Sequence, residues 1–412
     1  MSASSAPRCR ERNSSCCVDR ITQAQTTEEQ QQTRDGHRWI PALDGIRGLA
    51  ILLVMLFHYS TELDRNHPLQ RLLSSFCGYG WTGVDLFFVL SGFLITGILV
   101  DSRMADNYFS SFYARRVLRI FPAFYFSLIV FFVILPAFDH DIVRLLPMRE
   151  KWLYVFYAQN WVGIFHYPSQ GLLIPCWSLA VEEQFYLIWP VVVARFSGRK
   201  LLWVIGTGCL SAVLLRFGGM AAGVAREAIY ANTLTRMDSL LIGAACAVIV
   251  RNSQWKERLR PIARWSWMAP IVPFLALRLT ATSPKTLDPT VQGLGFTVVA
   301  LSYAGVLLTV VLGGNLLLQR FLTSRVMRAL GKYSYSAYLW HYVTLRIVLT
   351  TFARYLHQPG PLRMLVMILL TMLMSVASYH LVERWFLLLK NRFEPRPKKL
   401  AARHYSTAGA SS

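Results

Sequence analysis

The first apolar segment of the sequence contains two polar side chains that could do chemistry inside a membrane. The stretch LDGIRGLAILLVMLFHY, residues 43–59, has Arg47 near its beginning and His58 near its end, eleven positions apart. In a helix these side chains lie on one stripe, about 20° from alignment and about 16 Å apart along the axis. As alternatives to a functional role, Arg47 could extend to the membrane surface, and His58 could be a buried histidine whose hydrogen bonds only support the fold. A charge and an imidazole on one stripe indicate a long ligand with polar groups at two places.

A carboxylate is expected near His58. Asp85 lies near the beginning of the next apolar run, GVDLFFVLSGFLIT, on the side of the membrane where the first helix ends. A carboxylate beside an imidazole fixes the tautomer of the ring and makes it a better base. Asp85 could instead cap its own helix. In the same run Ser91 and Gly92 are small enough to allow close helix approach. We predict that His58 is a general base oriented by Asp85.

Two further runs contain clustered charges. In FYARRVLRIFPAFYF, residues 112–126, Arg116 and Arg119 are three positions apart and share one helix face, which suits phosphate binding. The alternative is that they only set membrane topology. In WSLAVEEQFYLIWP, residues 177–190, Glu182 and Glu183 lie within an apolar helix and point about 100° apart, so at least one needs an interior partner. We expect both pairs to belong to a site.

Three other polar residues are candidates for substrate binding. Arg236 and Asp238 precede the apolar part of a later run, NTLTRMDSLLIG. His341 lies among tyrosines in GKYSYSAYLWHY. Each of these side chains could equally make a structural polar contact. We keep them as predicted contributors to the substrate site.

Composition and charge define the fold class. Of the 412 residues 54% are hydrophobic and 16% are charged, whereas soluble domains are about 25% charged. We predict an all-α polytopic transmembrane helical bundle of about ten helices, with spans near 42–60, 82–100, 117–137, 172–194, 201–217, 230–250, 265–281, 291–312, 332–352 and 362–385. Basic residues concentrate at alternate ends of these runs, which places both termini in the cytoplasm. This bias also accounts for the net charge of +21, so no nucleic acid partner is expected.

The two ends of the chain differ from the bundle. Residues 1–37 and 391–412 are polar or basic and poor in apolar runs, so we predict mobile cytoplasmic tails around a transmembrane domain of residues 38–390. The seven cysteines show no CxxC pair and no regular spacing. We therefore expect neither a metal site nor a disulfide scaffold.

In their order along the chain, these motifs resemble those of the acyltransferase-3 family of integral membrane acyltransferases. The matching elements are the Arg-x10-His of Arg47 and His58, GVDLFFVLSGFLIT, FYARRVLRIFPAFY, WSLAVEEQFYLIWP, RMDSLLIG and LGKYSYSAYLWHY. The resemblance implies a helical bundle in the bacterial inner membrane. It also implies transfer of an acyl group, commonly acetyl, from cytoplasmic coenzyme A thioesters to sugars of surface or secreted glycans. Some relatives carry a fused extracytoplasmic hydrolase-like domain after the bundle, which we do not expect here.

Together, residues and resemblance predict a membrane-bound acyltransferase in the inner (plasma) membrane. It would move an acetyl group from acetyl-coenzyme A to a hydroxyl of a sugar or glycan at the outer side of the membrane. The lipid bilayer, the acyl-coenzyme A donor and the glycan acceptor are the expected partners, with no permanently bound cofactor. The predicted roles are donor phosphate binding for Arg47, Arg116 and Arg119, base catalysis for His58, its orientation for Asp85, and acceptor positioning or proton sharing for Glu182 and Glu183.

Two matters stay open at the level of sequence. Transfer could be direct in a ternary complex, which we favour, or could pass through an acyl-histidine. A polytopic transporter or flippase for an acylated or glycosylated molecule would also have buried charges, although the chain shows no inverted repeat. A membrane sensor or scaffold is a third class, for which an aligned Arg–His stripe would be unnecessary.

Overall fold

The computed structural model describes residues 40–138, 148–161, 171–280, 287–349 and 360–396. Within these ranges the chain is helical and contains no β-strand, which confirms the predicted all-α membrane bundle. The described residues from Ala42 onward form one compact unit. The predicted tail of residues 1–37 lies outside the described residues.

Eighteen α-helices are described. They are α1 Pro41–Tyr59, α2 Pro68–Cys77, α3 Gly83–Asp101, α4 Tyr108–Ile129, α5 Leu135–Phe138, α6 Met148–Val155, α7 Trp177–Arg195, α8 Gly198–Ala221, α9 Arg226–Ala231, α10 Thr233–Arg251, α11 Ser253–Ala263, α12 Ile271–Thr280, α13 Phe296–Val311, α14 Leu316–Leu322, α15 Arg325–Lys332, α16 Ser334–Ile347, α17 Pro361–Ser378 and α18 Arg384–Leu389. Turns of π-helix over Val130–Ile134, Val291–Gly295 and Tyr379–Glu383 join some of them.

Seven helical segments in the described part of the chain are long and apolar enough to cross a membrane. They match the predicted spans except 172–194, 265–281 and 332–352, which correspond to α7, α12 and α16. Helix α7 has 19 residues but contains Glu182, Glu183 and Arg195, and α12 and α16 have only 10 and 14 residues. The number of crossings and the side of the termini therefore stay predictions.

Local sequence explains where several helices begin. Asn232 separates α9 from α10, and its side chain accepts a hydrogen bond of 2.9 Å from the backbone N–H of Leu234. Asn252 does the same for α11 with the N–H of Trp255, at 3.1 Å. Pro361 occupies the first turn of α17, where a missing N–H costs nothing. These starts fix where each helix enters the bundle.

Helices α3 and α10 approach each other closely through two glycines. A methyl group at Gly92 of α3 would overlap the carbonyl oxygen of Leu240, and one at Gly243 of α10 would overlap that of Val89. The close approach expected at Gly92 is thereby confirmed. This contact sets the distance across which the charged residues of the two helices meet.

The segment after α18 is anchored where a mobile tail was expected to begin. The side chain of Asn107, before α4, donates a hydrogen bond of 2.9 Å to the carbonyl oxygen of Glu394. It accepts one of 2.7 Å from the N–H of Arg396. Ser111 donates to the carbonyl oxygen of Phe393 at 2.6 Å. These bonds hold residues 393–396 against the beginning of α4, while the domain boundary at residue 390 stays a prediction. Residues 397–412 of the predicted tail lie outside the described residues.

Replacing Gly243 by valine tests the close approach of α3 and α10. The added side chain meets backbone rather than a flexible side chain, so we expect a loss of about 1–3 kcal/mol in folding stability. The matched control is Gly206→Val on α8, where an added Cβ meets no atom within 4 Å. Thermal unfolding of the purified protein in detergent should show a lower midpoint for the Gly243 variant alone. Equal midpoints for both variants would contradict the packing.

Candidate active site

His58 lies in the last turn of α1 and is half-buried. Its Nδ1 is 3.0 Å from the carbonyl oxygen of Val54, one turn earlier. A carbonyl oxygen can only accept, so Nδ1 carries the proton and Nε2 of the neutral ring keeps its lone pair. The rings of Phe57 and Tyr342 lie edge-on to the imidazole at 4.9 and 4.8 Å. His58 therefore has a fixed tautomer and a free basic nitrogen, as a general base requires.

Asp85 is paired with α10. Its Oδ1 accepts 2.9 Å hydrogen bonds from Arg236 Nη2 and from Ser239 Oγ, and both charged side chains are fully buried. The structure thus does not bring Asp85 to Nδ1 of His58, which faces the carbonyl of Val54, and gives no support to the predicted orientation of His58 by Asp85. The physical reason is charge: a guanidinium enclosed at this place needs a carboxylate beside it.

Aromatic rings enclose the guanidinium of Arg236. Its central carbon is 3.8 Å from the ring centre of Phe296. The rings of Tyr230, Trp177 and Phe88 follow at 5.4, 5.8 and 6.0 Å. Cation–π attraction to several ring faces compensates part of the hydration that the charge has lost. The pair with Asp85 and this aromatic enclosure together make Arg236 a part of the bundle core.

A second enclosed ion pair lies next to the first. Arg216 Nη1 of α8 is 2.9 Å from Asp238 Oδ2, and the exposure of both side chains is 0%. Thr297 donates to the same carboxylate oxygen at 2.5 Å. Arg216 also donates to the carbonyl oxygens of Thr235 and Gly293, at 2.6 and 3.0 Å. Both charges are thus matched by opposite charge and by hydrogen bonds.

Two of the three residues predicted to bind substrate, Arg236 and Asp238, are therefore fully buried in this structure. This result disagrees with their predicted role, because residues at 0% exposure offer no surface to a substrate. Arg216 was missed in the sequence. The signal was a single arginine in the apolar run VLLRFGGM, residues 213–220, which at membrane depth requires a partner.

Three arginines gather near the beginning of α1. Arg116 and Arg119 of α4 and Arg47 of α1 lie within electrostatic range of one another. Arg47 Nη1 is 2.7 Å from Asp44, and the guanidinium carbon of Arg116 is 5.5 Å from the ring centre of Tyr186. All three arginines are half-buried. The structure thus brings together the arginines that were predicted to bind phosphates, while phosphate binding itself stays a prediction.

Glu182 and Glu183 lie beside this arginine cluster. Both are half-buried, and both interact electrostatically with Arg116. Glu182 also lies against Ser91 and Tyr186, whose hydroxyl oxygens are 2.7 Å apart. The two carboxylates therefore help to organise the arginines.

Solvent access divides the predicted site residues into two groups. Enclosed residues have almost no accessible surface and include Asp85, Arg236, Asp238 and His341. The second group is partly accessible and consists of Arg47, His58, Arg116, Arg119, Glu182 and Glu183. In this structure only the second group has accessible surface, and it contains the predicted base and the predicted anion site. No group of three or more His, Cys, Asp or Glu side chains among the described residues could hold a metal ion.

His341 of α16 lies beside His58, with 5.0 Å between ring centres. Its Nδ1 is 2.7 Å from the carbonyl oxygen of Tyr338. The hydroxyl of Tyr59 donates to the backbone carbonyl oxygen of His341 at 2.9 Å. The sequence placed His341 near the middle of a span, but it gave no sign that the two imidazoles would be neighbours.

Glu383 is a further residue that the sequence did not single out. It belongs to the π-helical turn after α17 and accepts a hydrogen bond from Ser336 of α16. It also lies within electrostatic range of Arg119. The sequence could have indicated this residue, because Glu383 is a carboxylate at the end of the last apolar run.

Comparison with known proteins identifies the family. The profile of the acyltransferase-3 family, described as an acyltransferase domain, matches residues 40–380. The chain belongs to this family of integral membrane acyltransferases. No solved structure matches the chain.

Several curated proteins are similar over most of the chain. The peptidoglycan O-acetyltransferase OatA of Listeria monocytogenes is 31% identical over 372 residues, which are 85% of this chain and 56% of that protein. YrhL of Bacillus subtilis is 30% identical over 369 residues, or 84% of this chain and 55% of that protein. The O-acetyltransferase OatA of Staphylococcus aureus is 28% identical over 360 residues, or 84% and 57%. The chain thus spans about half the length of these relatives.

A double-mutant cycle tests the ion pair between Asp85 and Arg236. Each single change, Asp85→Asn or Arg236→Gln, leaves one buried charge without its partner, and we expect it to cost about 3–5 kcal/mol of stability. The double variant removes both charges and should lose less than the sum of the two. Thermal unfolding in detergent measures all four proteins. Strictly additive losses would show that the two side chains do not interact.

Proposed function

We propose that this protein is a membrane-bound O-acetyltransferase. It moves an acetyl group from a coenzyme A thioester to a hydroxyl group of a sugar or glycan at the outer side of the membrane. The observation that carries the proposal is His58, a partly accessible imidazole with a fixed tautomer and a free Nε2. At the other end of the same helix lies a partly accessible cluster of three arginines.

The shape of coenzyme A fits this arrangement. The donor has phosphates at one end and a reactive thioester at the other. Arg116 and Arg119, with Arg47, offer guanidinium groups that pair with phosphate oxygens. The helix between Arg47 and His58 spans about 16 Å, a suitable length for the extended arm of the donor. The positive-inside bias supports entry of the donor from the cytoplasm.

The reaction proposed is direct transfer in a complex of protein, donor and acceptor. The acceptor hydroxyl oxygen forms a bond to the acyl carbon while His58 Nε2 takes the hydroxyl proton. The bond between the acyl carbon and sulfur then breaks, and the proton passes from His58 to the thiolate. The products are the O-acetylated acceptor and free coenzyme A.

For Glu182 and Glu183 we propose a role other than acceptor positioning. Because they lie beside Arg116, we propose that they hold the arginines in place for the donor phosphates. Contact with the acceptor would have to come from other residues. The names of the relatives from Listeria monocytogenes and Bacillus subtilis specify peptidoglycan, which supports a glycan as the acceptor.

Replacing His58 by alanine tests the catalytic assignment. Without the base we expect transfer to fall by about 10²–10⁴-fold, while the protein still inserts and purifies normally. Membranes containing the variant would be incubated with radiolabelled acetyl-coenzyme A and a glycan acceptor, and covalent label on the acceptor would be counted. The control is His67→Ala, which changes an exposed histidine before α2. Undiminished labelling by the His58 variant would defeat the assignment, and transport of unmodified acceptor would favour a transporter.

Replacing Arg116 by alanine tests donor binding. Loss of one guanidinium from the phosphate site should raise KM for acetyl-coenzyme A by about tenfold or more, with a smaller effect on kcat. Arg115→Ala is the matched control, because the neighbouring residue lies about 100° around the helix. Initial rates over a range of donor concentrations separate the two constants. An equal effect of both variants would argue against a specific site.

A further inference from the structure

Two imidazoles lie side by side at the end of α1, and both have the same tautomer. The ring centres of His58 and His341 are 5.0 Å apart, with a tilt of 47° between the rings. Nδ1 of His58 faces the carbonyl oxygen of Val54, and Nδ1 of His341 faces that of Tyr338. Each Nδ1 must therefore donate, and each Nε2 keeps a lone pair.

Nε2 of His341 is buried and has no hydrogen-bond partner within the described part of the chain. A buried acceptor left without a donor destabilises the fold, so its persistence requires an explanation. His58 cannot supply the hydrogen while it is neutral, because its own Nε2 is also an acceptor. Once His58 takes a proton at Nε2, it becomes a donor. The lone pair of His341 then has a matching partner.

We propose that His341 is a positioning residue for acyl transfer. Its Nε2 is the second acceptor, beside the acceptor oxygen, of a three-centre hydrogen bond from the N–H that forms on His58 when His58 takes the proton of the acceptor hydroxyl. The bond is lost when His58 passes that proton to the departing thiolate, so His341 neither gains nor loses a proton. This inference rests on the proposed function, in which His58 is the general base.

The surrounding contacts hold the two rings in register. The hydroxyl of Tyr59, the residue after His58, donates to the backbone carbonyl oxygen of His341 at 2.9 Å. It also lies 2.6 Å from the hydroxyl of Thr371 on α17. These bonds connect the end of α1 to α16 and α17. A short rigid link of this kind keeps His341 in place for an interaction that forms only during the reaction.

The timing of the bond determines what it can affect. Because the bond strengthens as the proton moves onto His58, it stabilises the transition state and not the bound substrates. Loss of the His341 lone pair should therefore lower kcat and leave KM for the donor nearly unchanged. We expect a decrease of about 10- to 100-fold, as for a hydrogen bond to a charged group.

Two substitutions at residue 341 separate this role from a structural one. His341→Asn places an amide N–H where Nδ1 donates to Tyr338, but it provides nothing at the position of Nε2. His341→Gln can place its carboxamide oxygen at the position of Nε2, but it gives up the short bond to the Tyr338 carbonyl. A positioning role predicts that Gln retains more kcat than Asn. A purely structural role predicts that Asn retains more kcat than Gln. It also predicts that the Asn variant is thermally more stable than the Gln variant.

The measurements use the full-length protein purified in detergent, with acetyl-coenzyme A as donor and release of free coenzyme A in the presence of a glycan as readout. His380→Gln, an exposed histidine on a neighbouring element, is the control for histidine loss and should match the wild type. Higher kcat for Gln than for Asn, with KM unchanged, supports the inference. Equal or reversed kcat values overturn it while His58→Ala remains inactive. Full activity of His58→Ala would instead overturn the proposed function.

Discussion

A charge removed from water must be matched by opposite charge or by hydrogen bonds, and the centre of this bundle is organised by that requirement. Two ion pairs lie there, Asp85 with Arg236 and Asp238 with Arg216, all at 0% exposure. Helix α10 contributes one member of each pair. The ring of Phe296 lies near both guanidinium groups, at 3.8 and 5.9 Å. The two pairs thus join α3, α8 and α13 to α10 in one arrangement.

The close packing of α3 and α10 and these ion pairs depend on each other. Glycines at the contact bring the helix backbones together, and this approach allows the short side chain of Asp85 to reach Arg236 and Ser239. Lipid tails offer no hydrogen bonds, so in a membrane the charged side chains can find partners only within the protein. This arrangement of the core therefore places each buried charge beside an opposite charge.

The charged side chains of the candidate site, unlike those of the two buried ion pairs, keep accessible surface. Arg47, Arg116 and Arg119 keep accessible surface, and their mutual repulsion is only partly relieved by neighbouring carboxylates such as Asp44. Like charges held together at an accessible place favour binding of an anion that completes the balance. At the other end of α1, His58 keeps a free nitrogen among aromatic rings. The enclosed charges are paired within the bundle, while the accessible ones are open to a ligand.

The sequence by itself determined the membrane bundle and the stripe that joins Arg47 to His58, and it singled out Arg116, Arg119 and the two glutamates, which the structure brings together. These conclusions follow from hydrophobicity and helical periodicity, which are local properties. Which side chain meets which was decided only by the tertiary structure. Asp85 was assigned to His58 because both are near the same end of their helices, yet the rotation of α3 turns Asp85 toward Arg236 of α10. Likewise, His341 lies 283 positions from His58 in the chain, and only the packing of α16 against α1 brings the two rings to 5.0 Å.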